Sequence, residues 1–139
     1  MAGNQAGSID LIHTAHAAAP GGHYSQAVMH EGVLYVSGQL PVRANGDHCA
    51  DQPFEVQASI ALDNLMAILS GAGRGTSDLL KVTVYLVGIE HWPAFDRIYA
   101  HYLGDHRPAR AVVPVPALHH GCLIEIEALA RGEQKETCR

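Results

Sequence analysis

PARAVVPVPALHHGCLIEIEALA, running from Pro108 to Ala130, is the stretch on which the fold turns. Its second half alternates, with Glu125 and Glu127 set between Ile124, Ile126 and Ala128. Alternation over this length predicts a half-buried strand. A period of two puts both glutamates on one face and both isoleucines on the other. The first half, Ala111 to Val115, is also strand-like, and Pro114, Pro116 and His119-His120-Gly121 separate the two runs. The expectation is a hairpin, with Arg110 at the start of one arm near the carboxylates of the other. Such an arginine has two readings. One is a surface side chain paired with a glutamate, which adds little to stability. The other is a clamp for an anionic substrate, because guanidinium is a planar fork of five donors that matches a carboxylate two bonds at a time. A glutamate not consumed by that clamp is then available to handle a water or a proton.

Upstream, Leu80 to Val87 is apolar and β-branched almost throughout, which predicts a central strand. Between it and Arg110, His91 to Leu103 predicts a helix, with Pro93 in its first turn and Trp92, Phe95, Ile98, Tyr99 and Tyr102 on one face; Gly104 ends it. An earlier helix follows Pro53, with Asp51 or Gln52 near its cap. Phe54, Ala58, Ala61, Leu62, Leu65 and Leu69 form its stripe, and Gly71 and Gly73 stop it. Gly73-Arg74-Gly75 is not read as a phosphate loop, because no Gly-Lys-Ser/Thr follows and the glycines come after the helix. Val42 to Gln52 is polar and predicts a loop. Tyr24 to His30 and Val33 to Ser37 predict two strands joined at Glu31-Gly32. Ser37-Gly38-Gln39 closes the second, and a glycine there permits close approach of a ligand or another backbone.

The predicted order is β-β-α-β-α-β-β in an α+β fold: one mixed sheet with two helices on one face. Residues 1–19 are expected to form a loosely ordered segment, 20–131 a single domain, and 132–139 a polar tail. The sheet's other face is expected to keep apolar side chains, which predicts an oligomer built on it.

The chain has 139 residues, enough for one domain with a proper core, and 47% hydrophobic with 17% charged residues describes a folded protein. A net charge of −5 offers no attraction to nucleic acid or to an anionic membrane. No apolar run has the length of a membrane span, and the first residues lack the basic start of a signal peptide, so a cytoplasmic protein is expected. Cys49, Cys122 and Cys138 are odd in number and widely spaced, which favours free thiols. The ten histidines show no His-x-x-x-His with an acidic partner, and no metal is expected. Adjacent residues such as His119 and His120 tend to point apart. His23, beside Tyr24, is the histidine that would line a cleft there, its alternative being a solvated turn residue. A Ser-His-Asp triad is set aside because no Gly-x-Ser-x-Gly elbow occurs.

Four motifs in this order resemble the Rid (RidA, YjgF-like) family of enamine/imine deaminases. They are Gly22-His23-Tyr24-Ser25-Gln26, Ser37-Gly38-Gln39-Leu40-Pro41, Pro108-Ala109-Arg110 and Ile124-Glu125-Ile126-Glu127-Ala128, and the similarity runs from about Pro20 to Arg131. The resemblance implies a chorismate-mutase-like fold, a homotrimer with sites between subunits, and no cofactor or metal. It implies hydrolysis of substrates such as 2-aminoacrylate and its imine tautomer to a 2-oxo acid and ammonia. By matched position, Arg110 holds the substrate carboxylate and Glu125 is associated with the hydrolytic water. Tyr24 lines the cleft, and Ser37 and Gly38 supply a wall and backbone groups near the reacting carbon. This sequence departs from the family pattern at four positions. His23 stands in place of a proline, Val112 in place of a frequent cysteine, Pro114 in place of an acidic residue, and Asp96 in place of an asparagine carried by many deaminating members. These leave the clamp and the glutamate in place and bear on which substrate is taken. The alternatives are deamination of a longer amino-dienoate such as 2-aminomuconate, or a non-catalytic trimer that binds carboxylates. A ribonuclease role finds no support in the acidic composition.

Overall fold

Leu79–Leu86 (β4) takes the inner sheet position its apolar sequence predicts, in a computed structural model that describes residues 7–132. Ile124–Arg131 (β6) pairs with it antiparallel on one side and Ala109–Pro114 (β5) parallel on the other. With Asp10–Ile12 (β1), Ala27–His30 (β2) and Val33–Gln39 (β3), the sheet runs β1-β2-β3-β6-β4-β5. Phe54–Gly71 (α1) connects β3 to β4, and Trp92–Leu103 (α2) connects β4 to β5. Both helices bury their stripes on one face, where Leu62, Leu65, Phe95, Val82, Val84, Ile124 and Ile126 meet in a single core.

The expected hairpin between the two halves of Pro108–Ala130 does not form, because β4 lies between β5 and β6. The reason is connectivity. A strand that follows a crossover helix packs parallel to the strand before it, so β5 joins β4 on its free side. That makes β5 an edge strand, the position in which Pro114 is tolerated. β6 then fills the gap between β3 and β4.

The segment expected to be loose also differs. Asp10–Ile12 extends the sheet edge against β2, and Ala17 is buried. What holds it is Gln26, itself buried. Its side-chain oxygen accepts from Thr14 N–H at 2.7 Å, and its amide donates to the carbonyls of Thr14 and Ala18 at 3.1 and 2.9 Å. The turn between β2 and β3 is at Glu31-Gly32 as expected, with φ of 49° and 81°, the left-handed pair that a tight hairpin requires. The polar tail expected at 132–139 lies, beyond Gly132, outside the described residues, as do residues 1–6.

Two more buried amides fix the loops that shape the site. Asn64, on the buried side of α1, accepts from Ala18 N–H at 3.3 Å and donates to the carbonyls of Leu40 and Val42 at 3.3 and 2.8 Å. Gln57 donates to the carbonyls of Ala50 and Gln52 and accepts from Leu123 N–H at 2.9 Å. Buried amides satisfied this way specify one loop arrangement, because any other leaves polar groups unpaired. The sheet face away from the helices is less apolar than expected. Tyr35 and Leu129 stand on it beside Lys81, Thr83 and Glu127.

Candidate active site

At one end of the open face lies a cavity of about 730 Å³, within the size range of small-molecule sites. The arm Ala18–Gly22 and Tyr24 form one wall. The end of β3, Ser37 to Gln39, with Leu40 just beyond it, and the start of β6, Glu125, form the floor, and the loop around Asn45 and His48 closes the far side with His119 and His120. Four of the five residues expected at a site, Tyr24, Ser37, Gly38 and Glu125, therefore meet in one place.

The floor exists because β3 is bulged. Val36 pairs with Ala128 and Gln39 with Ile126, so Ser37 and Gly38 together face one residue of β6. A bulge re-aims side chains and interrupts the ladder. Here the Ser37 hydroxyl turns inward to donate to Ser25 O at 2.6 Å. Glu125 lies against the Gly38 backbone. A Cβ at Gly38 would overlap its carboxyl group, standing 3.0 Å from Cδ and 3.3 Å from Cγ. Burial pushes the Glu125 carboxyl above its ordinary range; His119 pulls it back and Glu127 adds to the rise. The Tyr24 hydroxyl accepts from Gly21 N–H at 3.1 Å, which folds the arm over its ring.

Arg110 is not in this cavity. Its register partner is Val82, whereas Glu125 pairs with Tyr85. Val82 and Tyr85 are an odd number of residues apart, so Arg110 and Glu125 point to opposite faces of the sheet. Arg110 points to α2 instead. Nη1 donates to Asp96 Oδ1 at 2.9 Å, and the guanidinium carbon lies 4.8 Å from the ring centre of Tyr99, 5.7 Å from Phe95 and 5.9 Å from Trp92. The expected glutamate neighbour is thus replaced by an aspartate from the helix. Burial raises the Tyr99 phenol above its ordinary range, Arg110 opposing and Asp96 adding, and the Tyr99 hydroxyl is buried without a hydrogen-bond partner among the described residues.

Residues 14–132 match a family model described as Endoribonuclease L-PSP, a span that holds all four motifs of the resemblance. The chain belongs to this family, the Rid or YjgF-like proteins. A RutC family protein of Pyrococcus horikoshii is 37% identical to this Rid protein over 124 residues, spanning 89% of this chain and 98% of that one. The 2-iminobutanoate/2-iminopropanoate deaminase of Rattus norvegicus is 38% identical over 120 residues, spanning 86% and 88%. The crystal structure of the Rid family protein YyfA from Yersinia pestis is similar with a TM-score of 0.86 at 36% identity, spanning 89% of this chain and 99% of that one. The α+β, chorismate-mutase-like architecture of such proteins is the one this chain adopts.

Sequence reading missed His48 and expected His119 and His120 to point apart, whereas all three line the cavity. They converge because the turn at His119–Gly121 carries His120 at a φ of 63°, bringing its ring to 4.4 Å from that of His48. His23, the histidine singled out from sequence, is exposed and does not line the cavity. Among the described residues no group of three or more His, Cys, Asp or Glu side chains is placed to hold a metal ion. Cys49 and Cys122 are buried free thiols, and Cys138 lies outside the described residues. No described helix is long and apolar enough to cross a membrane.

Proposed function

We propose that this Rid protein hydrolyses reactive enamines and imines of the 2-aminoacrylate or 2-imino acid type to 2-oxo acids and ammonia, using neither metal nor organic cofactor. The observation that carries this reading is Glu125, a half-buried carboxyl of raised pKa set against the Gly38 backbone in a cavity that also holds Tyr24 and Ser37. A carboxyl so placed holds its proton more tightly than an exposed one, which favours acid–base work. The carbon of C=N is already electrophilic. A water adds to it while Glu125 accepts the water's proton. Glu125 returns that proton to nitrogen to give a carbinolamine, whose hydroxyl proton then passes by way of Glu125 to the leaving nitrogen as the C–N bond breaks and C=O forms, releasing the 2-oxo acid and ammonia. Arg110 holds the substrate carboxylate. Holding both partners in place accounts for up to roughly 7–11 kcal/mol in favourable cases.

One chain cannot offer both groups to one small substrate, because the sheet separates Arg110 from Glu125. A second copy that lends its Arg110 to this cavity resolves this, which agrees with the homotrimer and shared clefts of the resemblance. The rat relative, whose name states the reaction on 2-iminobutanoate and 2-iminopropanoate, supports the same chemistry.

His48, His119 and His120 favour a second reading within that chemistry. A longer amino-dienoate such as 2-aminomuconate has a second carboxylate, and three imidazoles at the far end of the cavity offer it donors.

The test mixes the purified protein with an amino-acid oxidase that generates 2-imino acids and times ammonia release and loss of semicarbazone trapping. Faster imine loss is expected. Unchanged lifetimes across the panel reject the deaminase. Carboxylate binding that needs Arg110 without ammonia release identifies the non-catalytic alternative.

A further inference from the structure

We infer that Asp96 is a positioning residue that sets the strength of the Arg110 clamp, holding its affinity for 2-oxo acids down. The inference rests on the deaminase reading of the same site. Arg110 is mostly shielded, with its side chain 20% exposed, and Asp96 is its one ion-pair partner among the described residues, at 2.9 Å. Three rings surround the guanidinium, with Tyr99 nearest at 4.8 Å. These contacts fix its plane, since an arginine over aromatic faces is held by their negative π-clouds.

The bond to Asp96 uses Nη1 alone. The edge formed by Nε and Nη2 makes no hydrogen bond to any described residue and remains a two-donor fork. Asp96 therefore does not occupy the clamp; it selects which edge is presented. It also brings a negative charge close to where a second carboxylate must sit. An asparagine would accept the same hydrogen bond without that charge, so the aspartate's distinct effect is repulsion of the bound acid.

Substrate and product share the carboxylate. The imine is short-lived in water, whereas the 2-oxo acid persists, and a clamp at full strength would fill with product. A charge remote from the reacting carbon acts alike on all bound carboxylates, so its effect falls on KM and product affinity more than on kcat.

The experiment measures the Kd of 2-oxobutanoate by titration calorimetry for the full chain and for Asp96→Asn, with Asp96→Ser as a second charge-removing variant should the first fold poorly. Tighter binding by about three- to tenfold at low ionic strength is expected, shrinking as salt is added. The KM for a 2-imino acid should fall in parallel, with less change in kcat. Equal or weaker binding in both folded variants, where wild-type binding is lost in Arg110→Ala, overturns the inference and leaves the deaminase reading standing. Wild-type binding that survives Arg110→Ala, or no binding at all, overturns the clamp and this inference with it.

Discussion

Replacing Gly38 with alanine should separate catalysis from stability. The added Cβ would stand 3.0 Å from Glu125 Cδ and nearer still to one carboxylate oxygen. The obstacle is the end of a flexible side chain, so Glu125 can swing aside at about 0.5–1.5 kcal/mol for a displaced rotamer. Against this, losing a glycine stiffens the unfolded chain, which is worth about 0.4–1 kcal/mol in favour of folding. Gly38 is not among the residues of positive φ, so alanine meets no backbone strain. The two contributions nearly cancel, and Tm should move by no more than a few degrees, at roughly 2–8 °C per kcal/mol. Activity should respond differently. A carboxyl displaced by about 1 Å from its working position costs on the order of 10²-fold. The assay pairs kcat/KM for ammonia release from a 2-imino acid with Tm by calorimetry. Wild-type activity at unchanged Tm would mean that Glu125 does not act from the place it occupies over Gly38. A Tm loss beyond about 10 °C would mean that the side chain could not yield, and the energetic argument would be wrong.

Arg110→Ala should lower kcat/KM by about 10²-fold or more, and Arg110→Lys should not restore it, because an ammonium has no fork; steady-state kinetics of both variants check this, and a lysine variant of full activity would dismiss bidentate holding. Glu125→Gln should bind 2-oxo acids yet turn over slowly, whereas an unchanged rate excludes Glu125 as the proton carrier. Because burial raises the folded-state pKa of Glu125, its carboxyl carries no penalty below the unfolded-state value; the penalty grows as pH rises through the unfolded and then the folded value. Glu125→Gln should therefore gain Tm near pH 7 and not near pH 4, and wild-type activity should fall on the acid side at a pH above the ordinary carboxylate range. Gln26→Leu removes the partners of Thr14 N–H, Thr14 O and Ala18 O and should cost about 2–4 kcal/mol by urea unfolding, with a higher KM because Ala18 and Ala19 form part of the cavity wall; an unaltered unfolding midpoint would show that the arm is held by something else.

What the sequence made legible was periodicity, and what it hid was adjacency. The helices were readable because proline and glycine mark their ends and the apolar residues recur at helical spacing. The alternation of β6 correctly put Glu125 and Glu127 opposite the isoleucines. Periodicity tells which face a residue takes, not which strand lies beside it. The hairpin expectation failed on that point: β4, nearly thirty residues earlier, intervenes between arms that are neighbours in sequence. The same gap in information misplaced Arg110. Its register with Val82 aims it at α2, where Asp96, not a glutamate of β6, receives it. β1 was missed because three residues carry no period, and its anchor, the Gln26 side chain, belongs to the next segment. Gln57 and Asn64 did leave a signal. Each is a polar residue at a three- or four-residue spacing from the apolar stripe of α1, and a polar side chain on a buried face must find partners. Those partners are the loop carbonyls of Leu40, Val42, Ala50 and Gln52. The cavity's far wall is therefore encoded in the helix beneath it. The histidines gave no such signal, because it is the left-handed conformation at His120, set by the turn and not by the residue type, that turns the rings together. In the proposed deaminase, substrate length would therefore be set by the part of the site that a linear reading sees least, and the hydrolytic chemistry by Glu125 and Gly38, whose strands the alternation and the glycine already marked.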